Sequence, residues 1–144
     1  MSAGEFLIVA SKYNARYVDG MLRAAKTALK AGGAKRIEIV RVPGAFEIPV
    51  VVAKAARAQP AWSAIICLGV ILRGETTHAQ NIGEAVSHAL MKIQLRHEVP
   101  VIHEVLLLEN QAQAQVRCLD RRHNRGAEAA QTALAMAKIM KTTP

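Results

Sequence analysis

The stretch Ala64-Ile-Ile-Cys-Leu-Gly-Val-Ile-Leu72, followed by Arg73-Gly-Glu-Thr-Thr-His78, decides the fold. Ala64–Leu68 is an unbroken apolar run, which reads as a strand buried on both faces. It passes directly into the segment from Gly69 to Gly74. A long helical pattern then places Ile82, Ala85, Val86, Ala89, Leu90 and Ile93 on one side. A buried strand, a glycine-bearing loop and a helix in that order form one half of a parallel crossover unit.

The same grammar extends in both directions. Upstream, Phe6–Ala10 reads as a strand, and Val18, Met21, Leu22, Ala25 and Leu29 recur at helical spacing up to Gly32-Gly33. Ile37–Val40 is a second strand, closed by Val42-Pro43-Gly44. Pro49 suits the first turn of a helix that runs to about Ala58, before Pro60. Downstream, Pro100–Leu107 is a fourth strand. A short helix near Asn110–Val116 follows, and Gly126–Lys141 forms the last helix. Strands alternating with long helices imply a single doubly wound α/β domain over residues 1–144, with no linker or repeat.

Composition narrows the function. The chain has 144 residues, enough for one proper core, and 51% of them are hydrophobic. With one Trp, two Tyr and two Phe, the core must be aliphatic, so an aromatic residue beside a loop stands out. No apolar run approaches the roughly 18 residues that span a bilayer, and no secretory signal is expected. Cys67 and Cys118 lack metal-ligand spacing and suit a reducing compartment, which points to the cytoplasm. The net charge of +8 raises the question of nucleic acid. Only Arg117, Arg121, Arg122 and Arg125 cluster, however, and no aromatic lies among them for base stacking. A pocket for one anionic ligand accounts better for them.

In an open parallel sheet, ligands bind beyond the carboxyl ends of the strands. Those ends are Ser11–Asn14, Val42–Glu47, Gly69–His78 and His103-Glu104, where polar and aromatic residues gather. Gly74 permits close backbone approach, and Thr76 or Thr77 can cap the next helix, whose N-terminus suits a phosphate. His78 falls in its first turn, either as an exposed surface residue or as a proton-transfer group. Tyr13 and Phe46 can each stack on a planar ligand, although Phe46 can equally pack in the core. Glu47 can accept hydrogen bonds from a polyol or favour its own helix start. Arg117 can grip a phosphate or merely face water. Asn124-Arg125-Gly126 reads as a turn with a helix cap.

These blocks together resemble the 6,7-dimethyl-8-ribityllumazine synthase family. The matching segments are Val42-Pro-Gly-Ala-Phe-Glu-Ile-Pro49, Leu68-Gly-Val-Ile-Leu-Arg-Gly-Glu-Thr-Thr-His78, Val99-Pro-Val-Ile102 and Asn124-Arg-Gly-Ala-Glu-Ala-Ala130. The resemblance implies a three-layer, flavodoxin-like domain: a four-stranded parallel sheet with helices on both faces. It also implies a condensation that needs neither metal nor organic cofactor, in a homo-oligomer of at least five subunits with sites between neighbours. His78 is then the proton-transfer residue and Tyr13 the ring-stacking aromatic. Ala45, Phe46 and Glu47 meet a ribityl chain, and Val70, Ile71 and Leu72 line a pyrimidine through their backbone. Glu75 and Thr76 hold phosphate, with Arg117 contributed by a neighbouring subunit. His103 stands where Phe is frequent at the ring edge, Leu107-Leu108 where a Thr pair is common, and Gln80-Asn81 where an acidic residue precedes an aromatic. Cys118–His123 replaces a loop bearing Gly and Lys. The altered loop leaves open an alternative, a catalytically weakened oligomeric scaffold or flavin-binding homologue.

Overall fold

The computed structural model describes residues 2–74 and 77–144. The expected phosphate contacts Glu75 and Thr76 therefore lie outside the described residues. Among those described, no helix is long and apolar enough to cross a membrane.

The chain runs β1 (Gly4–Ser11), α1 (Ala15–Ala31), β2 (Ala34–Val42), a single 3-10 turn (Ala45–Glu47), α2 (Ile48–Ala56) and β3 (Ala64–Leu72). It continues through α3 (His78–His97), β4 (Val101–Leu108), α4 (Gln111–Cys118) and α5 (Arg125–Thr142). All strand pairs are parallel, in the order β2-β1-β3-β4. This is the three-layer α/β arrangement that the alternation of strands and helices predicted.

Side chains alternate across each strand, so every strand feeds two cores. Phe6, Ile8, Ile66 and Leu68 pack with Met21 and Leu29 of α1 and Ala129, Ala130, Ala133 and Ala137 of α5. Leu7, Val9, Ile65 and Cys67 face Ile48 and Val52 of α2 and Val86 and Leu90 of α3. β1 and β3 are buried on both faces along nearly their whole length. β2 is an edge strand, and Lys35, Arg36 and Glu38 along it are exposed.

The end of β3 differs from the sequence reading, while α1 ends at Gly32-Gly33 as expected. The expected third strand ended at Leu68, whereas β3 continues to Leu72 because β4 keeps pairing with it, from Ile65↔Val101 to Leu72↔Leu108. Of Gly32 and Gly33, only Gly33 adopts a left-handed backbone, at φ 88°, while Gly32 sits at φ −80°.

The small residues of α5 let it lie close against α1. Asn124, almost fully buried, organises that junction. Its Oδ1 accepts from the N–H groups of Gly126 (2.8 Å) and Ala127 (3.3 Å), capping α5. Its Nδ2 donates to the carbonyls of Cys118 (2.7 Å) and Gly20 (3.3 Å). The cap expected from Asn124-Arg125-Gly126 is therefore also a tertiary tie.

Candidate active site

The order β2-β1-β3-β4 reverses direction between β1 and β3, which makes their carboxyl ends the switch point of the sheet. A groove of about 840 Å³ opens there, within the range of small-molecule sites. Its floor is the end of β3. β1 pairs with β3 only as far as Ala10↔Leu68. Beyond that point the strand pairs on the β4 side alone, so Val70, Ile71 and Leu72 line the groove with one backbone edge toward it.

The walls come from two turns. The backbone N–H of Tyr13 donates to Pro43 (3.0 Å) and that of Lys12 to Val42 (2.7 Å), tying the β1–α1 loop to the end of β2. Arg41 reinforces the same corner: Nε donates to Ala10 (3.2 Å), and Nη2 donates to Ser11 (2.9 Å) and pairs with Asp19 at 2.8 Å. These ties leave the Tyr13 ring 74% exposed at the groove. On the other turn, Glu47 Oε1 accepts the Gly44 N–H at 2.9 Å and locks the 3-10 turn, so this carboxylate already shapes the loop. Phe46 is 62% exposed and lines the groove, which removes the alternative of core packing.

The third wall is the start of α3. His78 is the first residue of that helix and lines the groove, with Asn81, Ile82 and Ala85 following at helical spacing. Thr77 occupies the N-cap position and makes no capping side-chain bond; Thr76, the other capping candidate, lies outside the described residues. Asn14, Asn81, Ile82 and Ala85 join the groove without having been expected as site residues. The last three share a helix face with His78, so the helical period that marks Ile82 and Ala85 as packing positions also brings them to the site.

Two expected site residues lie elsewhere on the single chain. Arg117 is exposed on α4, and neither it nor His103 lines this groove. Arg121, Arg122 and Arg125 border a separate depression of about 460 Å³ with Glu104 and Glu128. There Arg125 Nη1 contacts Glu128 at 3.1 Å. Burial raises the Glu104 carboxyl, Arg125 opposes the rise and Glu128 adds to it.

His103, on the outer edge of β4, has a defined tautomer. Its Nδ1 accepts the Val105 N–H at 3.0 Å, so the proton resides on Nε2 and points to Ser87 Oγ at 2.7 Å. Burial lowers its pKa from 6.5, and a protonated Nδ1 would oppose the Val105 N–H. On acidification the unfolded chain thus takes up this proton before the folded one. The contribution of His103 is complete above pH 6.5 and is lost as pH falls below it. His103→Gln is expected to flatten that part of the acid limb in urea-denaturation midpoints. An unaltered pH dependence would remove this account.

A doubly wound sheet with a groove at its switch point, lined by exposed aromatics and a histidine that opens a helix, is the arrangement of an α/β enzyme with a small-molecule site. The model of the family described as 6,7-dimethyl-8-ribityllumazine synthase matches residues 4–141. A 6,7-dimethyl-8-ribityllumazine synthase of Stenotrophomonas maltophilia is 35% identical over 144 residues, covering 99% of this chain and 92% of the relative. One from Xanthomonas campestris pathovar campestris is 35% identical over 145 residues, covering 99% and 94%. One from Xanthomonas oryzae pathovar oryzae is 36% identical over 141 residues, covering 96% and 91%. The chain belongs to the 6,7-dimethyl-8-ribityllumazine synthase family, transferases of riboflavin biosynthesis.

Proposed function

We propose that the chain condenses 5-amino-6-(ribitylamino)uracil with 3,4-dihydroxy-2-butanone 4-phosphate, giving 6,7-dimethyl-8-ribityllumazine, phosphate and water. The observation that carries this reading is the convergence of Tyr13, Phe46, the backbone edge of β3 and His78 on one groove. A flat heteroaromatic ring fits between aromatic faces and a strand edge, because the edge offers peptide N–H and C=O groups in the ring plane. Tyr13 is the stacking face. Ala45, Phe46 and Glu47 flank the ribityl chain, and the second Glu47 carboxylate oxygen is the acceptor for its hydroxyls.

The chemistry needs alignment first. The ring amine attacks the ketone, water leaves as the imine forms, the phosphate departs, and ring closure expels a second water. Each step moves a proton at or beside a nitrogen or oxygen that the groove holds in place. Two reactants fixed together gain most of their rate from proximity. His78, at the mouth of the groove, accepts and returns the protons. By resemblance, the phosphate lies at the α3 N-terminus with Glu75 and Thr76, Arg117 reaches it from a neighbouring copy, and His103 stands at the ring edge.

An oligomer of at least five subunits belongs to this proposal. Val50 on α2 and Leu95 on α3 are 71% and 70% exposed, and Met91 is 54% exposed, which leaves apolar surface to be covered. The test is a turnover assay with the two substrates, paired with light scattering on the same sample. Formation of the lumazine by a particle of at least five subunits is expected. A 15.6 kDa monomer at micromolar concentration would defeat the assembly. Absence of the lumazine defeats the enzyme reading, and flavin binding in its place would favour the scaffold alternative.

A further inference from the structure

The β1–β3 ladder stops in an unusual way, and the way it stops sets the shape of the groove. Parallel pairing alternates, so peptide groups of successive β3 residues point to opposite neighbours. Ile65 and Arg73 bond toward β4, through Pro100 (2.8 Å) and Leu108 (2.7 Å). The even-numbered residues Val70 and Leu72 therefore face the β1 side. From the register Ala10↔Leu68, continuation of β1 would bring the N–H of Tyr13 to the carbonyl of Val70. It does not arrive there, because the Tyr13 N–H is bonded to Pro43 instead.

Asn14 takes its place. Its Nδ2 donates to the Val70 carbonyl at 2.7 Å, across 56 residues of sequence. Asn14 stands at the N-cap position of α1, where an Asn side chain ordinarily accepts from the helix, yet here it makes no capping bond. Its backbone lies in the left-handed region, at φ 60° and ψ 42°, a conformation that Asn tolerates better than most residues. The carbonyl of Asn14 accepts from Tyr17 (3.0 Å) and Val18 (3.1 Å), so α1 begins here regardless. One residue thus turns the chain out of the sheet and supplies the bond that the departing strand would have made.

We infer that Asn14 is the positioning residue for the planar ring. By occupying the Val70 carbonyl it fixes the plane of that peptide. By releasing the backbone of Tyr13 toward β2 it opens the ring slot and leaves the Leu72 peptide facing the groove. The inference rests on the proposed function, because the slot is taken to hold the ribitylaminopyrimidine. The prediction is that Asn14 governs affinity for the pyrimidine and not for the phosphorylated ketone.

Two variants test it. Asn14→Gly keeps the left-handed backbone and removes the amide. Asn14→Asp keeps the shape and sets a carboxylate against the Val70 carbonyl. Asn14→Gly is expected to raise KM for the pyrimidine about tenfold, the scale of one lost hydrogen bond, and Asn14→Asp to raise it further. KM for the ketone should stay within about twofold in the Gly variant, and its Tm should stay near that of wild type. A purely structural role would move both KM values and Tm together, and that result overturns the inference. So does a Gly variant that matches an active wild type in pyrimidine KM. Wild-type protein that neither turns over nor binds the ribitylaminopyrimidine overturns the proposed function, and the inference with it.

Discussion

Substitution of His78 by alanine is expected to lower kcat about a hundredfold, the low end of what one positioned acid–base group supplies. KM for both substrates should change little. The reason lies in the division of labour within the groove. In the proposed reaction Tyr13, Phe46 and the β3 edge hold the reactants, and the variant leaves all three untouched. Only proton movement during imine formation and phosphate loss is impaired, so the effect falls on kcat. The remaining acceleration comes from proximity, which accounts for the small size of the loss compared with a covalent catalyst. His78→Gln, which keeps a polar side chain but cannot carry a proton, should behave like the alanine variant. A variant of either kind that turns over at the wild-type rate would sink the assignment. A large rise in KM with kcat intact would instead make His78 a binding residue.

The second large effect is on the fold. A Cβ on Gly126 would overlap the backbone carbonyl of Met21, where α5 begins against α1. Both partners are main chain in packed helices, so no flexible side chain can swing away. Gly126→Ala is expected to cost about 3 kcal/mol or more, at or beyond the usual upper limit for overpacking. That is a large share of the roughly 5–15 kcal/mol that holds a domain together. The measurement is the urea midpoint, with Gly83→Ala on α3 as the control. At Gly83 the nearest atom to a new Cβ is Leu107 Cδ2 at 3.8 Å, an ordinary contact. The control should be neutral or slightly stabilising, because Ala is the better helix former by about 1 kcal/mol. Equal midpoints for the two variants would contradict the packing account.

Much of the site was legible because its residues break the pattern around them. Tyr13 and Phe46 are rare aromatics beside loops, and both are exposed at the groove. His78 opens a helix that follows the central buried strand. Glu47 was left between two roles, and its bond to Gly44 shows that it shapes the turn. Asn14 was passed over because its partner, the Val70 carbonyl, is a backbone group that no residue type announces. Ile82 and Ala85 fit an amphipathic helix without further signal, and Asn81 stands out only as a departure from the family motif. Nothing in the spacing said which part of that helix would face a cavity.

Taken alone, the chain determines its strands and helices through hydrophobic period. It determines its fold class through their alternation, and its family through short blocks such as Leu68–His78. These are local properties, set by the identities of neighbouring residues. The tertiary structure decided where β1 leaves β3, and therefore where the groove opens. It also decided that Asn14 completes the Val70 pairing, that Asn124 ties α5 to two distant carbonyls, and that His103 is held as one tautomer. Each of these depends on a main-chain group brought close by strand register or helix packing. The physical reason is that every residue type carries the same peptide donor and acceptor, so only the folded chain specifies which one lies within reach.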